Sequence, residues 1–211
     1  MGCHDRLEPL LRPAIFGECP AESRAQRRRT RVLVAYYSRT DRTRTIAQYL
    51  ARELGAHVEV LTEAKERARP RPSWRCAADA LFARSAPLSA ACHDATTYDL
   101  VVVGSPVWYA ALSSPVRSYL AEHAGSLRNL AFFVTCGGWR PERALRQMLE
   151  VSRCAPRATL TVRRRDFWDG RAESRSKAFA ATLGAETADW QNRYVSRDPN
   201  FHGTARRGAT D

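Results

Sequence analysis

The chain has 211 residues, enough for one domain of ordinary size with length left over for tails. Its formal net charge is +12, but the cations are almost all arginine, with Lys65 and Lys177 the only lysines. They are spread along the chain without a nucleic-acid motif, which argues against nucleic-acid binding as the main role. No apolar run approaches the ~20 residues of a membrane span, and residues 1–29 lack an apolar signal core, so the expected location is cytoplasmic.

Residues 1–30 carry Pro9, Pro13 and Pro20, show no sustained periodicity and end in a basic run, as expected of a loosely docked extension. From Arg31 the texture changes. Val32–Tyr37 is apolar and β-rich, a first strand. Ser38, Thr40, Asp41 and Thr43 crowd the next turn. Ile46, Leu50 and Leu54, with Ala47 and Ala51, then mark an amphipathic helix stopped by Gly55. His57–Leu61 suits a second strand near an edge. Glu63–Pro72 is charged and proline-interrupted, a short helix is expected over Ala77–Ala83, and 87–97 is irregular.

Tyr98–Pro106 is almost wholly apolar, and continuous apolarity requires burial on both faces, as in a parallel sheet. Ser113-Ser114-Pro115 opens the next helix, with Val116, Tyr119 and Leu120 inward. Leu130–Val134 is another buried strand. Pro141 starts a helix whose inner residues are expected to be Leu145, Met148 and Leu149. Ala158–Val162 is a fifth strand, Arg163–Gly170 an expected loop, and Ser174–Ala188 the last helix, using Phe179 and Leu183. The domain therefore spans 31–190, with a polar tail over 191–211.

Five strands alternating with helices define a doubly wound α/β fold with a parallel sheet. Ligands of such sheets bind at the carboxyl ends of the strands, where the winding reverses. The informative loops are then 38–43, 105–110 and 135–140. In the first, hydroxyls and the guanidiniums of Arg39 and Arg42 surround a helix start whose N–H groups have no intrahelical acceptor. That composition suits a phosphate, and equally a capped helix with a solvated basic face. Other sites fail on specifics. Ser38-Arg39 and Ser105-Pro106 stand where a phospho-receiver needs acids, and Glu142 stands where a phosphatase C-x5-R loop starting at Cys136 needs arginine. No G-x-G-x-x-G follows a strand, no nucleophile elbow is present, and no cysteine pair has zinc-ligand spacing.

Tyr37-Ser38-Arg39-Thr40-Asp41-Arg42-Thr43 resembles the Y-S-x-T-G-N-T phosphate loop of the flavodoxin-like family. Tyr98 to Trp108 resembles its Y-D-x-I-x-x-G-S/T-P-V-W segment, and Thr135–Gly138 its third, flavin-edge loop. The resemblance covers about residues 31–188 and implies strand order 2-1-3-4-5 with FMN as cofactor. It implies that Ser38, Thr40, Arg42 and Thr43 hold the FMN phosphate, with Arg39 adding charge. Within Pro106-Val107-Trp108-Tyr109, the two aromatic rings would stack on or edge the isoalloxazine. Thr135, Cys136, Gly137, Gly138 and Trp139 would hold its pyrimidine side. Core packing is the competing reading of Trp108 and Tyr109.

Two departures stand out. Asp41-Arg42 replaces Gly-Asn, and a carboxylate ~4–6 Å from a phosphate costs a few kcal/mol at an effective ε of ~20 unless Arg39 and Arg42 offset it or Asp41 points outward. Ala110 stands where glycine is common. The implied function is FMN-dependent oxidation–reduction in which the cofactor does the chemistry and no side chain acts as acid, base or nucleophile. A two-electron NAD(P)H-to-quinone reaction is favoured, because the 106–110 loop lacks glycine and the surface is basic. A one-electron carrier between protein partners and a flavin-free binding module are the alternatives.

Overall fold

The computed structural model describes residues 30–63, 87–127, 129–138 and 140–195, with side chains as far as Thr187. The extension over 1–29, the helix expected over Ala77–Ala83 and the tail residues 196–211 lie outside the described residues.

In chain order the described elements are β1 (Val32–Tyr36), α1 (Arg42–Leu54), β2 (His57–Val60), a 3₁₀ turn (Ala95–Thr97), β3 (Leu100–Trp108), β4 (Ala111–Leu112), α2 (Ser114–Glu122), β5 (Leu130–Cys136), α3 (Pro141–Ser152), β6 (Thr159–Arg163), α4 (Arg164–Trp168) and α5 (Arg171–Val195). Five strands form one parallel sheet in the order β2-β1-β3-β5-β6, and β4 pairs antiparallel with the end of β3. Counting only the parallel strands, this is the expected 2-1-3-4-5 order, with the winding reversed between β1 and β3.

The two faces of the sheet follow from strand alternation. Leu33, Ala35, Val101, Val103, Phe132 and Val134 pack with Val116, Tyr119, Leu120, Ala144 and Met148 of α2 and α3. Val34, Tyr36, Val102, Phe133, Leu160 and Val162 pack with Ile46, Leu50, Phe179 and Leu183 of α1 and α5. In the central strand every residue from Leu100 to Val107 is buried, which is what the unbroken apolar run required. Gly104 is built into this core. A Cβ there would lie 2.0 Å from Cζ of Phe133, its partner on the neighbouring strand, so the ring occupies the space a side chain would need.

Three local expectations change. The inner stripe of α3 is Pro141, Ala144, Met148 and Ser152. Leu149 is 41% exposed, because it follows Met148 by one step of about 100° around the helix. The segment after β6 is a short helix and not a loop, since the buried Asp166 carboxylate accepts the Arg163 N–H at 2.8 Å and satisfies the helix start. The last helix runs from Arg171 to Val195, three residues earlier and seven later than expected.

Candidate functional site

The parallel sheet brings the carboxyl ends of β1, β3 and β5 to one edge, and the three loops singled out in the sequence meet there. Pro106 lies opposite Thr135 and Val107 opposite Cys136 in the β3–β5 register. Thr43, at the start of α1, is joined to Thr135, at the end of β5, by a hydroxyl–hydroxyl hydrogen bond of 2.7 Å. Both side chains are buried. One bond thus ties the helix that starts at the first loop to the strand that ends at the third.

Asp41 is the N-cap of α1 in the left-handed conformation (φ 55°), which aspartate tolerates better than most residues. Its side chain makes no cap hydrogen bond. It is exposed and lies 3.3 Å from Nη1 of Arg44, which partly offsets its charge. The cap comes from Ser38, whose Oγ accepts the Arg44 N–H at 3.3 Å. Ser38, Arg39 and Arg42 are half-buried and Thr40 is exposed. The helix start thus carries Arg39, Arg42 and Arg44 beside a single exposed acid.

The second loop is a hairpin. Val107 pairs with Leu112 and Trp108 with Ala111, leaving Tyr109 and Ala110 as a two-residue turn. Both have positive φ, 49° and 59°, as a type I′ turn requires, and neither is glycine. Each left-handed residue costs on the order of 1 kcal/mol, and the β3–β4 ladder holds them there. Tyr109, 76% exposed, is presented at the tip. Trp108 is half-buried and meets the buried Tyr37 ring edge-on, with centroids 5.9 Å apart.

The strands extend further than the sequence suggested, so Pro106, Val107, Thr135 and Cys136 are buried strand residues and not loop residues. Val107 and Cys136 contribute their side chains to the core. Burial pushes the Cys136 thiol above its ordinary pKa, partly countered by a hydrogen bond from the Gly138 N–H and by Arg163. Gly137 and Gly138 form the exposed lip, with Gly138 at φ 147°, a conformation that glycine alone adopts readily. Trp139 lies outside the described residues.

Three features escaped the sequence reading. Ser113 does not cap α2 with its hydroxyl but bonds Ser105 Oγ at 2.9 Å, fastening the helix start to β3. Arg163 stands beside Cys136 in the β5–β6 register. Asp166 is held by Arg175 at 3.4 Å and Arg171 at 3.8 Å, which anchors the end of β6. Only the Asp two to three residues inside a helix start was a signal for the last of these.

Comparison with known proteins shows the fold. A flavoprotein from Lactobacillus acidophilus NCFM in complex with FMN superposes with a TM-score of 0.56 at 18% identity, over 63% of this chain and 93% of that one. The apo form of the flavoprotein from the same organism gives 0.50 at 20% identity, over 66% and 97%. No protein-family model and no curated protein matches the chain. The fold is flavodoxin-like. Among the described residues no helix is long and apolar enough to cross a membrane.

Proposed function

We propose that the chain binds FMN at the carboxyl ends of β1, β3 and β5 and serves as a flavin-dependent oxidoreductase. The observation that carries this reading is the convergence at one sheet edge of a basic helix start, an aromatic hairpin and a glycine lip, the first and third joined through the Thr43–Thr135 bond. The pairing of the exposed Asp41 with Arg44 lessens the repulsion a phosphate at 38–43 would meet. Arg39 and Arg42 would hold the phosphate. Trp108 and Tyr109 would offer ring faces or edges, and Gly137 and Gly138 have no side chain to obstruct a planar ring. FMN held there would supply the electron transfer, and these residues would orient it.

The hairpin supports a two-electron reaction from a nicotinamide donor to a quinone-type acceptor. Flipping the Tyr109–Ala110 peptide would convert a type I′ turn toward type II′, which wants glycine at the first central position. Tyr109 occupies that position, and the ladder on either side resists the change. A carrier that works one electron at a time gains from such a flip, so a rigid hairpin suits it less well. The test is to purify the protein, measure its flavin absorbance and follow NADH or NADPH oxidation with a quinone. Bound FMN and quinone-dependent nucleotide oxidation are the expected results; a protein that neither retains nor takes up FMN would overturn the reading.

A further inference from the structure

On the α2 side of the edge strand β2 lies a cavity of about 150 Å³, bounded by Glu59–Thr62, the segment 88–91 and the end of α2. None of its lining residues belongs to the site described above. Its walls mix apolar side chains with two acids, Glu59 and Glu122. Tyr119, 1% exposed, has its hydroxyl buried without a hydrogen-bond partner, as has Ser89 Oγ. An unpartnered buried hydroxyl costs about 1–3 kcal/mol, so a packed core would leave such a group there only at a disadvantage.

The charge around Tyr119 is negative although the chain as a whole is strongly positive. Burial, then Glu59 and Glu122, then Tyr98 and Asp94, all act to keep the phenol protonated. Glu59 is itself buried and fixed, accepting the Cys92 and His93 N–H groups at 3.0–3.2 Å and meeting His93 Nδ1 at 2.8 Å. His123 Nδ1 lies 2.9 Å from the Tyr119 carbonyl, and as donor to it leaves Nε2 as the ring's acceptor. The lining is therefore rich in acceptors and carboxylates, in a space that suits about six non-hydrogen atoms.

We infer that this cavity is a binding site for a small protonated amine, received by the Glu122 carboxylate and the hydroxyls of Tyr119 and Ser89. A cation with several N–H donors satisfies the orphan hydroxyl oxygens and neutralises the acidic wall together; a neutral alcohol of the same size does only the first.

The probe is propylammonium, titrated into the ¹⁵N-labelled full chain with propanol as the neutral control. Saturable shifts confined to amides of 59–62, 88–91 and 119–123 are expected, at least tenfold tighter for propylammonium. Glu122→Gln should weaken binding about tenfold, as loss of one charged hydrogen bond implies. Tyr119→Phe should weaken it about fivefold. Flavin content should not change in either variant, which separates this site from the FMN reading. Equal response to propanol, shifts that never saturate, or unchanged affinity in Glu122→Gln would overturn the proposal. So would a crystal grown with propylammonium that shows only ordered water in the cavity.

Discussion

The β1–α1 turn and the β3–β4 turn sit at the same edge of the sheet, and each departs from ordinary backbone geometry. They do so for different ends. At Asp41 a single left-handed residue starts a helix, its exposed side chain pairs with Arg44, and Ser38 caps the first turn. At Tyr109 and Ala110 two left-handed residues close a hairpin whose backbone is satisfied by its own ladder, and what it presents is side chain. The first turn gathers basic side chains at a helix start and the second exposes an aromatic ring. Strain is tolerated at each because neighbouring structure over-determines it: a helix at one, a strand pair at the other.

The largest effect is expected beneath the second turn. Gly104→Ala drives a methyl into the Phe133 ring and should cost about 3 kcal/mol or more of stability, read by denaturant unfolding, with loss of flavin as β3 and β5 separate. A change below about 0.5 kcal/mol would show that the strands under the hairpin yield easily and that its rigidity has another source.

Next comes the first turn. Replacing Thr40 and Thr43 together by Ala should weaken FMN by about 1–3 kcal/mol in a fluorescence titration. Because Thr43 also bonds the buried Thr135, the double variant should unfold about 1 kcal/mol more easily, whereas Thr40→Ala alone should leave stability unchanged. Wild-type FMN affinity in the double variant would put the phosphate elsewhere.

Tyr109→Gly sharpens the contrast between the turns by freeing the peptide that the hairpin holds. Anaerobic photoreduction should then show the one-electron-reduced flavin rising several-fold over wild type, since a conformational cost on the order of 1 kcal/mol is removed. A wild-type protein that already accumulates that form to a large, persistent extent would restore the carrier reading.

The smallest effect concerns Cys136. Burial raises its pKa, so its thiol stays neutral through the range in which an ordinary cysteine, at about 8.5, begins to ionise. Alkylation mapped by mass spectrometry between pH 7 and 9 should reach exposed Cys92 well before Cys136, and bound FMN should slow Cys136 further. Early labelling of Cys136 would mean that the end of β5 opens in solution.

Much of this was legible in the chain itself, because hydrophobic period, caps and strand-ending glycines are local signals. The alternation of strands and helices, the buried central strand, the edge position of β2 and the stop at Gly55 are all written within a dozen residues of where they act. The same local reading also singled out the three loops, since a parallel sheet puts its strand ends together whatever their sequence. What needed the tertiary structure was direction and partnership. Thr43 and Thr135 are 92 residues apart, and nothing local says that their hydroxyls meet. That Asp41 is exposed and paired with Arg44 is likewise a matter of side-chain placement that its local sequence does not state. The hairpin was hidden because its turn lacks the glycine or asparagine that marks such turns, and only the pairing of Val107 and Trp108 with β4 makes positive φ tolerable at Tyr109 and Ala110. Propensity is carried by neighbours in sequence; strain is borne by neighbours in space.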